Sequence, residues 1–200
     1  MKIIIASILC ATATTSFANT RFEADVSSGF HTLWVDADEA ENLTGIQVGI
    51  AGNGYYTLAP NIELFGSLGL NYKYSKNDEF LTSDLGEFGE MKAGLEVSTL
   101  LVTSKVGATY RMDKLALTPY LALKLQASGE GTSTIEMMGE KEETSSDVEN
   151  DLLEGVGFRG TYDLEKFFVG ASIEANAIND VNSIFEAGSL EVSGVFGYKF

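Results

Sequence analysis

Residues 62–74 read IELFGSLGLNYKY, and their alternation decides the fold. Ile62, Leu64, Gly66, Leu68, Leu70, Tyr72 and Tyr74 fall on one side. Glu63, Phe65, Ser67, Gly69, Asn71 and Lys73 fall on the other. A repeat of two is the strand period, because successive side chains of an extended backbone point to opposite faces. One face is apolar and ends in aromatics; the other is polar and glycine-rich. A strand of a soluble sandwich could look like this once, so recurrence is the deciding test.

The pattern recurs seven times. Around 22–34, Phe22, Ala24, Val26, Phe30 and Trp34 oppose Glu23, Asp25, Ser27, Gly29 and His31. Around 46–58, Ile46, Val48, Ile50, Tyr56 and Leu58 oppose Gln47, Gly49, Asn53 and Thr57. Further segments lie near 98–112, 115–127, 154–162 and 167–176, and a last one ends at Phe200. Eight strands follow. The stretches between them alternate in length: 59–61, 113–114 and 164–165 are tight, whereas 36–44, 75–97, 128–152 and 177–188 are long and polar. Short turns at one end and long loops at the other are the pattern of an up-and-down transmembrane barrel. Pro60 suits a tight turn, and Pro119 predicts an irregular start to the fifth strand, since proline has no N–H for the ladder. Residues 78–97 are the least regular; GEMKAGLEV could extend strand four above the membrane, and an extra hairpin making ten strands is not supported.

Both ends of the chain agree with export to a membrane. Lys2 precedes an apolar run and Ser16-Phe17-Ala18, a small-x-small cleavage site, so residues 1–18 read as a signal peptide and 19–200 as one barrel domain. Leu9 before Cys10 argues against a lipoprotein, and beyond residue 18 there is no cysteine and hence no disulfide. The closing VSGVFGYKF keeps alternating to its final residue.

An all-β, eight-stranded antiparallel barrel of this kind turns its apolar face to lipid and its polar face to the lumen. Parity then assigns inward charges: the acids Glu23, Asp25, Glu63, Glu174 and Glu191, and the bases Lys73, Lys105, Arg111, Lys124, Arg159 and Lys199. This near-balance predicts ion pairs across the interior. Eight strands leave room only for side chains, so the expectation is a plugged lumen. A soluble lipocalin-like barrel would reverse the faces; the export signal, the aromatic strand ends and Phe200 favour the membrane form.

Here a resemblance can be named. LTPYLALKL, following KVGATYRMDK, is similar to the turn and Pro-Tyr strand start of small bacterial outer-membrane β-barrel proteins of the eight-stranded class, and FGYKF resembles their C-terminal recognition signal. The resemblance covers all of 19–200 and implies the outer membrane of a Gram-negative bacterium, reached through the periplasm. It implies that Tyr198 and Phe200 are read by the barrel-insertion machinery, and that the other partners are outer-membrane lipid and lipopolysaccharide. A monomer is expected.

The charge is unevenly placed. The formal net charge is −16. The four long segments carry 20 acids against Lys76, Lys92 and Lys141; the rest of 19–200 carries 9 acids and 9 bases. No basic cluster exists for nucleic acid or heparin-like glycans. Solvated, mutually repelling loops are the plain reading, and weak recruitment of divalent cations is the functional one. DADEAEN (36–42) lacks the glycine of a calcium-binding EF-hand loop. His31 is the single histidine; it could meet a lumen serine and Glu174 or Glu191 as an enzyme would require, or simply fill a polar interior. No nucleophile elbow, phosphate loop or metal cluster is present, so no catalytic, cofactor or metal set is expected. A structural or cell-surface interaction role is the leading reading, with a narrow, porin-like channel and an outer-leaflet lipid enzyme as alternatives.

Overall fold

The computed structural model describes residues 19–35, 42–84, 90–137, 140–147, 152–178 and 187–200. The expected signal peptide (1–18), most of DADEAEN and residues 179–186 of the fourth long segment lie outside them. The strands are β1 (Thr20–Val35), β2 (Leu43–Ala59), β3 (Ile62–Asp84), β4 (Glu90–Met112), β5 (Leu115–Met137), β6 (Glu140–Asp147), β7 (Leu152–Leu164), β8 (Phe167–Ile178) and β9 (Ala187–Lys199). Every pairing is antiparallel. The order β4-β3-β2-β1-β9-β8-β7-β5 closes through β4–β5, giving a ring of eight, and β6 lies beside the outer half of β5. Closure satisfies backbone hydrogen bonding without an edge, a condition lipid imposes.

Alternation explains the two faces. Phe22, Val26, Phe30, Ile50, Leu68, Leu121, Val156 and Phe196 stand exposed on the outer wall, Phe30 by 73%. Glu23, Asp25, His31, Gln47, Asn53, Lys124, Arg159, Glu174 and Asn176 are buried inside. A wall that is greasy outside and charged inside suits a protein whose solvent is hydrocarbon.

The turns correct two boundaries. The tight connections are the residue pairs Pro60–Asn61, Asp113–Lys114 and Glu165–Lys166, rather than 59–61 and 164–165. Asp113 (φ 52°) and Glu165 (φ 61°) adopt the left-handed region, which lets two residues reverse a twisted hairpin. The turn carbonyls stay in the ladder: Arg111 N–H donates to Asn61 O (2.9 Å), Asp163 N–H to Lys114 O (2.8 Å) and Lys199 N–H to Lys166 O (2.9 Å).

Pro119 sits inside β5, paired opposite Phe158 of β7, so the strand start itself is regular. The irregularity falls on the other side. The β4–β5 pairing is interrupted between Gly107↔Tyr120 and Tyr110↔Leu117 with its register unchanged, while Ala108 and Thr109 stay paired with Leu64 and Glu63 of β3. Thr109 and Thr118 bridge that gap with a hydroxyl–hydroxyl bond of 2.8 Å inside the wall.

The larger departure is above the ring. Segments 75–97 and 128–152 are mostly strand rather than loop. β3, β4 and β5 each run 23 residues, about twice the 9–11 residues a tilted membrane strand needs. Residues 90–97 of GEMKAGLEV do extend strand four. Beyond the ring, β3 pairs β4 out to Asp84↔Glu90, β4 pairs β5 out to Met91↔Met137, and β5 pairs β6 from Glu130↔Asp147 to Met137↔Glu140. The result is a four-stranded tongue. Every residue of β6 is exposed, and β6 pairs only with β5 among the described residues.

Candidate functional site: the plugged lumen and the acidic tongue

The interior fills in layers. At the turn end, Arg21 reaches Glu23 and Glu63 (2.9 Å to the latter), Arg111 reaches Glu63 (3.2 Å) and Asp163 (2.7 Å), and Lys199 meets Asp163 at 3.3 Å. Arg21 and Asp163 were not among the residues assigned by parity. Both continue the inward, odd-numbered series of their strands, one residue outside the segments 22–34 and 154–162 read as alternating. Above this layer Arg159 and Asn53 both donate to Asp25, at 2.8 and 2.5 Å.

Aromatic rings occupy the next space. Tyr55, Phe65 and Tyr120 form a buried chain with centroids 5.3 and 6.3 Å apart. These rings replace the salt bridges that an all-polar lumen would need. Two close approaches require glycine. A Cβ on Gly157 would lie 2.4 Å from the Tyr120 ring, and one on Gly197 would lie 2.1 Å from that of Phe168. A ring laid over a bare backbone fills interior space without straining the wall.

The layer toward the loop end holds Lys73, Lys105 and Lys124 with Glu174 and Glu191. Lys124, with no exposed surface, contacts Glu174 and lies 2.5 Å from Glu191; Lys73 also contacts Glu191, and Lys105 lies 2.8 Å from Glu174. Asn176 donates to Glu191 at 2.8 Å. So the eleven charges assigned by parity all face the interior, and every one has an opposite partner there. The cavity among Asp25, Gln47, Lys105, Tyr120, Arg159 and Glu174 measures about 40 Å³, room for a few waters at most.

His31 lies above this layer. Its Nε2 is 2.5 Å from the Ser75 Oγ, and its buried Nδ1 has no hydrogen-bond partner among the described residues. A base beside a hydroxyl meets the first requirement of nucleophilic chemistry. The second, an acid orienting the base through its other nitrogen, is not met at Nδ1.

The tongue is the second candidate site. Its described strands carry eleven carboxylates, from Asp78 to Asp147, and the lysines 76, 92 and 141. The lysines pair locally: Lys76–Asp78 at 3.0 Å, Lys92–Glu79 at 2.5 Å and Lys141–Glu143 at 2.7 Å. The Lys141 ammonium holds the Glu143 carboxyl below the usual carboxylate range. Exposed pairs of this kind contribute little stability. Among the described residues, no three His, Asp or Glu side chains are grouped to hold a metal ion.

Comparison with known proteins bears on the fold. No protein-family model matches the chain, and no curated protein does. Among solved structures, a major outer membrane protein from Thermus thermophilus is similar over 90% of this chain and 99% of that one, with TM-score 0.50 and 13% identity. This is the outer-membrane β-barrel fold. The barrel also resembles Neisserial surface protein A, at TM-score 0.49 and 14% identity over 90% of this chain and 97% of that one. The outer membrane protease OmpT of Escherichia coli matches with TM-score 0.48 and 14% identity, over 94% and 100% of the two chains. At such identities the likeness concerns architecture, and the barrel's role has to be argued from its own residues.

Proposed function

We propose that the barrel is an anchor that presents an acidic surface for interaction, and that it is neither a pore nor an enzyme. The observation that carries this reading is the tongue: β3, β4, β5 and β6 project beyond the ring with a net excess of carboxylate and an open strand at β6. An open strand offers its backbone groups to another extended segment. Carboxylates along it favour a cationic or neutral protein over nucleic acid and sulfated glycans. The ion-pair layers and the Tyr55, Phe65 and Tyr120 rings that fill the interior support a plug over a pore, because a hydrated ion needs a continuous path.

A test uses bacteria displaying the barrel and a basic probe protein, cytochrome c. Binding should fall when residues 131–146 are replaced by a two-residue turn, and should vanish in high salt, which shortens electrostatic reach to about 3 Å at 1 M. Binding unaffected by both changes would overturn the reading, as would discrete conductance steps from the purified barrel in a planar bilayer. The His31–Ser75 contact is the one observation that favours an enzyme. Replacing His31→Asn should leave the host's lipid A acylation unchanged by mass spectrometry; a changed acyl pattern would establish the lipid-enzyme alternative.

A further inference from the structure

The interior layers balance their charge, except one. At the turn end three bases, Arg21, Arg111 and Lys199, meet three acids, Glu23, Glu63 and Asp163. Arg159 meets Asp25. Toward the loop end three lysines, 73, 105 and 124, share two glutamates, 174 and 191. One positive charge is left over inside a low-dielectric wall, where an unmatched ion is unfavourable.

Directly against this layer is a cavity of about 160 Å³. Lys73, His31, Ser75 and Ser189 line it on the polar side, and Leu43 and Leu101 are among its apolar walls. Leu43 and Leu101 are both about 1% exposed, so these leucines face inward, above the charged layer and apart from the ring cluster of Tyr55, Phe65 and Tyr120. They make sense as a wall for an apolar body.

We propose that this cavity binds a small monocarboxylate with an apolar body, of benzoate or hexanoate size. The carboxylate supplies the missing negative charge beside Lys73. His31, in the tautomer whose Nε2 accepts the Ser75 hydroxyl, carries a hydrogen on its unpartnered Nδ1 and can donate it to such a ligand. Leu43, Leu101 and Leu153 enclose the body. The size limit follows from volume: an apolar protein cavity of about 150 Å³ accepts one benzene ring. A longer chain would have to displace the lysine layer.

The experiment titrates the folded barrel, residues 19–200 in detergent micelles, with benzoate, benzyl alcohol and benzylamine, following backbone amides by NMR. Benzoate should bind saturably in the millimolar range or tighter, with shifts centred on His31, Leu43, Lys73, Ser75 and Leu101. The alcohol and the amine should bind about tenfold more weakly or less, since charge-assisted bonds are the strong ones. Leu153→Trp, at a partly exposed position on the cavity wall, should weaken benzoate about fivefold or more while heat-modifiable gel migration stays normal. Lys73→Gln should remove the preference for benzoate over the alcohol. Equal binding of benzoate and benzyl alcohol would overturn the proposal, as would benzoate affinity unchanged in a folded Leu153→Trp barrel. Absence of a saturable shift would overturn it too.

Discussion

Lys124 and Glu191 meet at 2.5 Å in the interior of the barrel, the lysine with no exposed surface at all. Lys124 also contacts Glu174, so one ammonium holds two carboxylates that would otherwise repel each other. Lys124→Met should therefore destabilise the barrel by about 3–5 kcal/mol, the range for breaking a buried pair from one side. Reversible guanidinium unfolding in detergent or liposomes measures it. A loss within experimental scatter would mean that water reaches this layer and screens it.

The glycines under aromatic rings should be intolerant where lipid-facing glycines are not. Gly157→Ala places a methyl into the Tyr120 ring, and overpacking of this kind costs about 1–3 kcal/mol. Gly52→Ala faces open space, with nothing within 4 Å, and should be neutral or stabilising by about 0.5–1 kcal/mol. The same unfolding assay on both variants decides; similar effects from the two would show that the ring does not rest on Gly157.

Phe200 should matter for assembly. Its N–H donates to Phe22 O at 3.1 Å, and its ring joins a cluster with Tyr198 (5.3 Å), which in turn meets Phe167 (5.4 Å). Deleting Phe200 should lower the yield of heat-resistant barrel in the outer membrane. Unchanged yield and gel migration would remove Phe200 from the proposed insertion signal.

The tongue should respond to divalent cations diffusely. Calcium in the millimolar range should reduce its mobility without a single saturating site, because separate solvated carboxylates do not form a coordination shell. Glu140→Gln, Glu142→Gln, Glu143→Gln and Asp147→Asn together should abolish most of the response and leave barrel stability nearly unchanged. Calcium titration by NMR reads both effects. A micromolar, saturable response would reveal a specific site instead.

What could be read from the sequence, and what could not, divides along physical lines. Inward and outward faces depend only on the two-residue repeat, so Lys124 and Leu121 could be placed before any contact was known. Which acid meets which base depends on strand tilt and stagger, and neither leaves a trace in local alternation. Arg21 and Asp163 share the inward parity of Glu23 and Arg159, and escaped because hydrophobic contrast fades at the turns and the readable segments stop one residue short of them. The tongue escaped for another reason. A strand wet on both faces has no hydrophobic contrast, so Thr132–Thr134 opposite Glu143–Ser145 looks like loop. Its order comes from backbone ladder bonds, which any non-proline residue can make.

The seam between β1 and β9 pairs Glu23 with Lys199 and Val35 with Ala187. These partners stand at opposite extremes of the described chain. Contacts so distant in sequence are slow to form, since the whole intervening loop must be closed first. Until that seam zips, β1 and β9 are both raw edges, and every lipid-facing side chain is exposed to water. A ribosome still holding the last strand cannot release a finished cylinder. The cylinder can close only once both ends of the described chain are present, the last strand completing the wall that the first began.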